Sequence, residues 1–283
     1  MTVPDDHRQE SRARWARSAA GWEAHRDRMR TATMPVSVWM LDALELQPGH
    51  ELLELAAGIG DVGFLAAELI APGGTLISSD FVPEMLSAAQ ARAKELGIEN
   101  VRFRQIDAAQ SIDQPAATLD AVLCRWGYML MADPENALRE TRRILRPGGR
   151  VSLAAWTGPA DNPWASTPMR ELVGRGIVER PEPLAPGQFA WAPEGLIADR
   201  LDGAGFGEAR VEVVDFAMTY PSFEAWIDTQ RDLAPTLRDA LDGLDPAARG
   251  EVLAAIRLQA TPYTTPDGSM TFPARTWVAA AAA

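Results

Sequence analysis

The sequence has few of the residues on which cross-links and covalent cofactor chemistry depend. Cys124 is the only cysteine among 283 residues, so a disulfide within the chain is excluded, as suits a reducing cytoplasm. Lys94 is the only lysine, which argues against a catalytic Schiff base. The first residues lack the apolar core of a signal peptide, and no apolar run reaches transmembrane length. We therefore expect a cytoplasmic protein without a membrane partner.

Positive charge is also scarce relative to negative charge. The formal net charge is −12, whereas nucleic acids and anionic membranes favour proteins with clustered cations. This balance argues against a nucleic-acid partner. No group of His and Asp residues has the spacing of metal ligands, so we predict no metal site. The 47% of hydrophobic residues is ample for a packed core.

Strand-like and helix-like segments alternate regularly between residues 50 and 156. Apolar strands are predicted at 50–56, 75–80, 101–107, 119–126 and 150–156, each separated from the next by a helix or a turn. This order predicts a doubly wound, mostly parallel α/β sheet with helices on both faces. Ligands of such sheets bind beyond the carboxyl ends of the strands.

The segment "LLELAAGIGDVG", residues 52–63, joins the first predicted strand to a helix. Gly58, Gly60 and Gly63 form the pattern G-x-G-x-x-G, which also occurs in dinucleotide-binding folds. Glycines at this place let the backbone approach a ligand, and the following helix N-terminus favours an anion. Alone, the pattern also fits a tight turn without a ligand, and Gly63 is assigned to helix packing.

Three acidic residues end successive predicted strands and help to choose between ligands. Glu54 would repel a pyrophosphate but suits a cationic ammonium group. Asp80 can accept hydrogen bonds from both ribose hydroxyls, and Asp107 can accept one from an adenine amine. Three acids around one pocket suit a cationic ligand that carries adenosine. S-adenosylmethionine, a sulfonium, matches this description.

Four blocks of the sequence resemble the class I S-adenosylmethionine-dependent methyltransferases over residues 50–156. They are "LLELAAGIG", "SSDFVPEML", "RQIDAAQSI" and "LDAVLCRWGYMLMADPENALRETRRILRPGGRVSLAAW", in which the turn "RILRPGGR" is a specific feature. The resemblance implies S-adenosylmethionine as cofactor. It also implies the cofactor-binding residues Glu54, Ala56, Gly58, Gly60, Asp80, Phe81, Met85, Asp107, Ala108, Cys124 and Arg125.

Three of these positions, Ala56, Arg125 and Cys124, have more than one interpretation. Ala56 stands where the family motif commonly has its first glycine, a mild change unless the position requires a positive φ. Arg125 is expected beside the methionine portion of the cofactor, where it would bind the carboxylate or else pair with a surface acid. Cys124 is read as a small buried strand residue rather than as a nucleophile.

The resemblance also suggests how the chain is organised. Residues 1–46 are predicted to form an N-terminal helical cover, with one helix over residues 8–30 that is broken near Gly21 and a second helix over residues 34–46. Residues 47–156 are predicted to form the S-adenosylmethionine-binding core. Residues 157–283 would supply helical cap insertions together with the final strands of a seven-stranded sheet. The strands expected there are 207–218 and 268–281, the latter rejoining the sheet.

The chemistry of methyl transfer is an in-line displacement, and some acceptors must also lose a proton to a base. The sequence has no clear base, but His25 lies on the N-terminal helix that covers the cofactor in similar enzymes. Aromatic residues in segments near the site favour a small, partly apolar or aromatic acceptor. The candidate pocket residues are Trp22, Trp126, Tyr128 and Trp156.

The sequence therefore favours a methyltransferase that acts on an oxygen, nitrogen or carbon atom of a small molecule. Enzymes of this kind act on quinones, sterols and specialised metabolites. Two alternatives remain at this point: a non-catalytic S-adenosylmethionine-binding protein, and a nicotinamide-dependent oxidoreductase suggested by the glycine pattern.

Overall fold

The computed structural model describes the backbone of residues 5–283 and the side chains of residues 8–283. These residues form one seven-stranded sheet in the order β3-β2-β1-β4-β5-β7-β6. Its strands are β1 (Glu51–Glu54), β2 (Thr75–Asp80), β3 (Val101–Gln105), β4 (Leu119–Arg125), β5 (Leu145–Trp156), β6 (Arg210–Tyr220) and β7 (Met270–Ala282).

The helices alternate with the strands in the first half of the chain and cluster in the second half. They are α1 (Asp5–Ala16), α2 (Ala19–Ala24), α3 (Arg26–Ala43), α4 (Asp61–Leu69), α5 (Pro83–Leu96), α6 (Pro134–Ile144), α7 (Pro163–Gly174), α8 (Leu196–Gly203), α9 (Phe223–Leu233), α10 (Pro235–Asp242) and α11 (Pro246–Gln259).

The central strands of the sheet are buried on both faces. β1 pairs in parallel with β2 and β4, and β4 pairs in parallel with β5. The side chains of Leu52, Leu53 and Val122 are fully buried, which explains why these strands are continuous apolar runs rather than alternating ones. The predicted doubly wound, mostly parallel sheet of seven strands is confirmed.

The last strand rejoins the sheet in the way the sequence predicts. β7 lies between β5 and β6 and is antiparallel to both. Its small residues, including Ala279 and Ala281, are buried. β6 is therefore an edge strand, and its carboxyl end lies at the same edge of the sheet as that of β5.

The N-terminal helices differ from the prediction. Instead of one break near Gly21, the helices are interrupted at residues 17–18 and again at His25. The helix expected to begin near Met34 begins at Arg26, and it continues through Pro35 to Ala43. Proline is tolerated inside α3 although it removes one helical hydrogen bond. Burial of Val36 and Met40 against the main core stabilises the helix through this point.

The helices after β5 divide into two groups. α7 contacts α10 and α11, α9 contacts α10, and α9 also contacts α2 of the N-terminal region. α8 instead packs on α6 and β6. We call α7, α9, α10 and α11 the cap helices, and α8 lies apart from them against α6 and the sheet.

Candidate active site

The glycine-rich loop between β1 and α4 turns with several residues in the left-handed region. Gly58 and Gly60 have φ of 56° and 83°, and Ala56 has φ of 51°. Position 56 therefore does require a positive φ, the case in which replacing the family's glycine by alanine has a cost. A left-handed conformation costs a non-glycine residue about 1–2 kcal/mol, so Ala56 is held there by the surrounding turn. A β-carbon on Gly58 would contact no atom within 4 Å, which leaves space beside the loop.

Glu54, the last residue of β1, is buried directly beneath this loop. Its side chain is 3% exposed, and Oε1 accepts a hydrogen bond of 2.9 Å from the backbone N–H of Gly63. A β-carbon on Gly63 would overlap the carboxylate of Glu54 and come within 3.2 Å of Leu76. Gly63 therefore makes room for the acid, a role beyond the helix packing assigned from the sequence.

The second carboxylate oxygen of Glu54 has no hydrogen-bond partner among the described residues. Burial raises the pKa of Glu54 to about 8, although the N–H of Gly63 and the charge of Arg125 act in the opposite direction. A buried, unpartnered carboxylate oxygen beside an open loop is suited to a cationic donor such as an ammonium group.

Asp80 ends β2 and holds the loop from the other side. Its Oδ2 accepts from the N–H of Gly58 at 2.9 Å, and its Oδ1 accepts from the N–H of Val82 at 2.9 Å. Burial raises its pKa to about 6, against these backbone hydrogen bonds. Each carboxylate oxygen can accept more than one hydrogen bond, so both can also serve ribose hydroxyls.

Asp107 follows β3 and is paired with the N-terminal helix. Its Oδ2 accepts from Nη2 and Nε of Arg8 at 2.6 and 3.1 Å, while its Oδ1 accepts from the N–H of Ala109 at 3.2 Å. The side chain of Asp107 is 29% exposed. The acid predicted to bind the adenine amine thus also fastens α1 to the sheet. Ala108, beside it, is buried.

The predicted adenine-flanking residues contact the N-terminal cover. Met85 and Ile59 belong to a small hydrophobic cluster, separate from the main core, that also contains Ala19 of α2. Phe81 and Trp22 pack at its edge. The N-terminal helices therefore close directly over the loop and the end of β2.

Cys124 and Arg125, at the end of β4, lie in different environments. Cys124 is fully buried, and burial raises the pKa of its thiol to about 12, which fits its assignment as a core residue. Arg125 donates from Nη1 to Thr33 and Ser37 of α3, and from Nη2 to Asp61 at 3.3 Å. The acid that Arg125 pairs with is therefore a buried one, not the surface acid considered from the sequence.

Asp61, the first residue of α4, is a member of the site that the sequence reasoning missed. Its side chain is 5% exposed and joins Arg125 to Arg92 of α5. Burial lowers the pKa of Arg125, and Asp61 opposes this shift. In the sequence, an acid directly after Gly60 looks like an ordinary first-turn helix residue. Its buried partners come from distant segments, so only the folded chain reveals this network.

His25 joins the N-terminal cover to the cap. Its Nε2 lies 2.8 Å from Oδ2 of Asp232 at the end of α9, and its Nδ1 lies 3.5 Å from Oγ1 of Thr229. The hydroxyl of Thr229 donates to the carbonyl of Ala225 at 2.7 Å. His25 is therefore oriented by a carboxylate, and the only neighbour recorded for its second ring nitrogen among the described residues is the Thr229 hydroxyl.

The aromatic residues predicted near the acceptor form a stack at the ends of β4 and β5. Trp126 lies parallel to Trp156 with ring centroids 4.3 Å apart, and Trp164 meets Trp156 edge-on at 5.0 Å. Nε1 of Trp126 donates to Thr276. Trp126 also has φ of 58°, a strained conformation for a large residue.

The other two predicted pocket residues differ from each other. Tyr128 is 1% exposed, its hydroxyl lies 2.7 Å from Oγ1 of Thr141, and its ring stacks on Trp191. This placement favours a packing role for Tyr128. Trp22 packs between the small cluster and the main core, and its Nε1 has no hydrogen-bond partner in the part of the chain that the structure describes.

Two structural features are absent from the described residues. None of the helices within residues 5–283 combines the length and apolar character needed to cross a membrane. The same residues contain no group of three or more His, Cys, Asp or Glu side chains arranged to hold a metal ion.

Comparison with known proteins relates this geometry to a family. A family model described as "Methyltransferase domain" matches residues 46–168. Nocamycin O-methyltransferase of Saccharothrix syringae is 35% identical over 208 residues, covering 68% of this chain and 72% of that protein. Demethylmenaquinone methyltransferase of Thermus thermophilus is 39% identical over 117 residues, or 41% of this chain and 51% of that protein. The chain thus spans about half the length of this second relative.

A solved structure shows the same fold at low identity. Phosphoethanolamine N-methyltransferase 2 of Haemonchus contortus, in complex with S-adenosyl-L-methionine, superposes with a TM-score of 0.52 at 17% identity, covering 87% of this chain and 52% of that chain. Sequence relatives, matched domain and fold agree, and none of them favours the nicotinamide-dependent alternative. The chain belongs to the class I S-adenosylmethionine-dependent methyltransferases, and S-adenosylmethionine is its cofactor.

Proposed function

We propose that this enzyme transfers a methyl group from S-adenosylmethionine to a small, partly apolar or aromatic acceptor. The observation that carries the choice of acceptor is the stack of Trp126 on Trp156 at the ends of β4 and β5. Relatives named for nocamycin and demethylmenaquinone support an acceptor of this class. The net charge of −12 argues against a nucleic-acid acceptor.

The residues around the loop suit this cofactor. Glu54 offers a buried oxygen without a partner to the ammonium group, and the open side of Gly58 lets the ligand approach the backbone. Asp80 and Asp107 would accept from the ribose hydroxyls and the adenine amine, between Phe81 and Met85. Ala56, Gly60, Ala108 and Cys124 would complete the cradle. We assign Arg125 to holding Asp61 and α3 in place beside it, because both of its Nη atoms have protein partners.

When bound, S-adenosylmethionine supplies a methyl group for displacement at its sulfonium. The chain must then align the acceptor and exclude water, and positioning of this kind contributes much of the rate enhancement. The N-terminal helices serve this purpose, since α1 and α2 pack over the loop and are joined to the cap through His25 and Asp232. Trp22, with its unpartnered Nε1–H inside this cover, would donate a hydrogen bond to the acceptor.

We assign the role of general base to His25. With Nε2–H donating to Asp232, Nδ1 carries the lone pair and can take a proton from the acceptor. Thr229 leaves the lone pair of Nδ1 available, because its hydroxyl donates to the carbonyl of Ala225 and its Oγ1 lies 3.5 Å from Nδ1. An acceptor that is already ionised at neutral pH would not need this step.

The overall proposal is tested by incubating the enzyme with methyl-labelled S-adenosylmethionine and metabolite extracts. We expect label in a small organic-soluble product. Label that enters only protein or nucleic acid, or no transfer from any extract, would contradict the proposal.

The role of His25 is tested with the acceptor found in this way. His25→Gln should lower kcat by about 10²–10⁴-fold and leave the KM for S-adenosylmethionine nearly unchanged. Asp239→Asn is the matched control, because Asp239 also joins cover and cap, through Arg17 at 2.9 Å, but has no assigned part in proton transfer. Equal losses in the two variants would show that His25 only holds the cover in place.

A further inference from the structure

Strand β6 ends the sheet and leaves one of its own edges open. It pairs with β7 residue by residue from Arg210 to Tyr220 without a shift in register. Edge strands of natural proteins are commonly interrupted by a proline or a bulge, which hinders pairing with another chain. The segment "RVEVVDFAMTY" has neither, and Val213 is 38% exposed. Only the charged residues of β6 therefore restrict which strand can pair with it.

The backbone groups that face the open edge can be assigned from two contacts. Antiparallel neighbours alternate between pairs that exchange hydrogen bonds and pairs that do not. Ala217 lies opposite Pro273, which has no N–H, so this pair is of the second kind. Thr219, two residues further on, agrees, because its carbonyl accepts from Nη1 of Arg28 at 3.0 Å instead of from β7. The odd-numbered residues of β6 thus direct their N–H and C=O groups away from β7.

Three residues before this blocked carbonyl present unpaired backbone groups. They are Val211, Val213 and Asp215, whose outward N–H and C=O groups have no hydrogen-bond partner among the described residues. Arg28 covers only the carboxyl end of the edge, at Thr219. The open part of the edge is therefore the first half of β6.

Arg210 and Glu212 give this half of the edge its charge pattern. Their side chains are 56% and 45% exposed, and Nε of Arg210 bonds Oε1 of Glu212 at 2.7 Å. Trp39 of α3 holds both: its Nε1 donates to Oε2 of Glu212 at 2.9 Å, and the Arg210 guanidinium carbon lies 4.9 Å from the centre of its ring. The Nη atoms of Arg210 have no hydrogen-bond partner among the described residues, so they remain available to a second acid.

This charge pattern is complementary to itself in one antiparallel register. A two-fold axis at Val211 places Arg210 of each copy directly opposite Glu212 of the other, and opposite charges at facing positions stabilise a strand pair. An axis at Glu212 would instead set two like charges against each other. An axis at Val213 would place Glu212 opposite Val214 and leave it without a cross-strand partner.

We propose that two copies of this chain pair through their β6 edges, antiparallel and about a two-fold axis at Val211. The two sheets then continue as one. Val211 bonds its own counterpart, and Val213 bonds Ala209 of the other copy, which gives about six backbone hydrogen bonds between the copies. The contact between Arg28 and Thr219 lies outside the paired segment and is kept. This assembly does not depend on the proposed acceptor.

Sedimentation of the full chain measures the assembly, and two proline variants locate it. We expect a dimer at about 10–100 µM, since a short interface of this kind is in the range of weak complexes. Val211→Pro removes an outward N–H inside the paired segment and should give a monomer. Ala217→Pro is the matched control: it also removes an outward N–H, but outside that segment, and should remain a dimer. Thermal unfolding checks that both variants are folded.

Charge reversal tests the register without proline. Arg210→Glu and Glu212→Arg should each be monomeric, because each sets like charges opposite one another. An equimolar mixture of the two variants should dimerise, because acids at both positions of one copy then face arginines at both positions of the other. Mixing cannot repair damage within a single chain, so this result would be specific to the contact between copies.

Three results would each overturn the proposal. They are a monomer at about 100 µM, a dimer that Val211→Pro leaves intact, and a mixture of the charge variants that stays monomeric. A monomeric enzyme would leave the edge to an extended segment of a different protein, and an intact Val211→Pro dimer would place the contact between copies on another face.

Discussion

The carboxylate of Glu54 occupies the space in which a side chain on Gly63 would lie, and the N–H of Gly63 donates to that carboxylate at 2.9 Å. One residue thus provides both the room for the acid and a donor that orients it. The other carboxylate oxygen remains without a partner in the described chain and lies beneath the loop. The third glycine of the G-x-G-x-x-G pattern therefore serves a buried acid in this enzyme.

Gly63→Ala should displace Glu54 and weaken the site. We expect a loss of about 1–3 kcal/mol in the free energy of unfolding, because the new methyl group is forced against a carboxylate and Leu76. Cofactor affinity measured by calorimetry should fall as well. Gly250→Ala, in α11 with no atom within 4 Å of the added carbon, should instead be neutral or stabilising. Similar losses in both variants would mean that Gly63 has no special relation to Glu54.

Cofactor binding should release a proton near neutral pH. Burial raises the pKa of Glu54 to about 8, so the acid is largely protonated at pH 7 without ligand and must ionise to hold an ammonium group. The Kd for S-adenosylmethionine should therefore tighten by up to about tenfold per pH unit between pH 6 and 8. Calorimetry at pH 7 in two buffers of different ionisation enthalpy should detect the released proton.

Glu54→Gln provides the control for this linkage. The variant should bind more weakly, and it should show no proton release between pH 7 and 8. Without ligand, the contribution of Glu54 to stability should show the opposite dependence. Because its folded pKa is raised from 4.5 to about 8, this contribution is fully present below about pH 4.5 and is lost as the pH rises through 8. Unchanged proton release in Glu54→Gln would assign the linkage to another group.

The strand ends could be predicted from the sequence because apolar runs and glycine turns are local signals. Glu54 and Asp80 were found in this way, and both lie beside the loop. Asp61 could not be found, because its importance depends on Arg92 and Arg125, which reach it across 31 and 64 residues of sequence. The predicted start of α3 near Met34 is wrong, because proline is common in the first turn of a helix and Pro35 therefore suggested a beginning there. In the structure the helix begins at Arg26, and its burial against the core stabilises it on both sides of Pro35.

The buried pair formed by Asp61 and Arg125 should be essential for stability. Asp61→Ala leaves Arg125 and Arg92 without their shared acid at nearly buried positions, a change that costs about 3–5 kcal/mol. Chemical denaturation should measure this loss. Glu95→Gln, which breaks the exposed pair with Arg26 at 3.0 Å, should have little effect. A small effect of Asp61→Ala would mean that the two arginines find other partners.

Asp107 has two assigned roles, the fastening of α1 and the recognition of adenine, which a pair of variants can separate. Asp107→Ala removes the acceptor for the adenine amine and also a partner of Arg8, whereas Arg8→Met leaves the Asp107 carboxylate in place. If Asp107 binds adenine, Asp107→Ala should weaken cofactor binding by about 10- to 100-fold, the value of one hydrogen bond to a charged group, and Arg8→Met should weaken it by no more than about a few-fold. Calorimetry with S-adenosylmethionine measures both. Equal losses of affinity would restrict Asp107 to holding the cover closed.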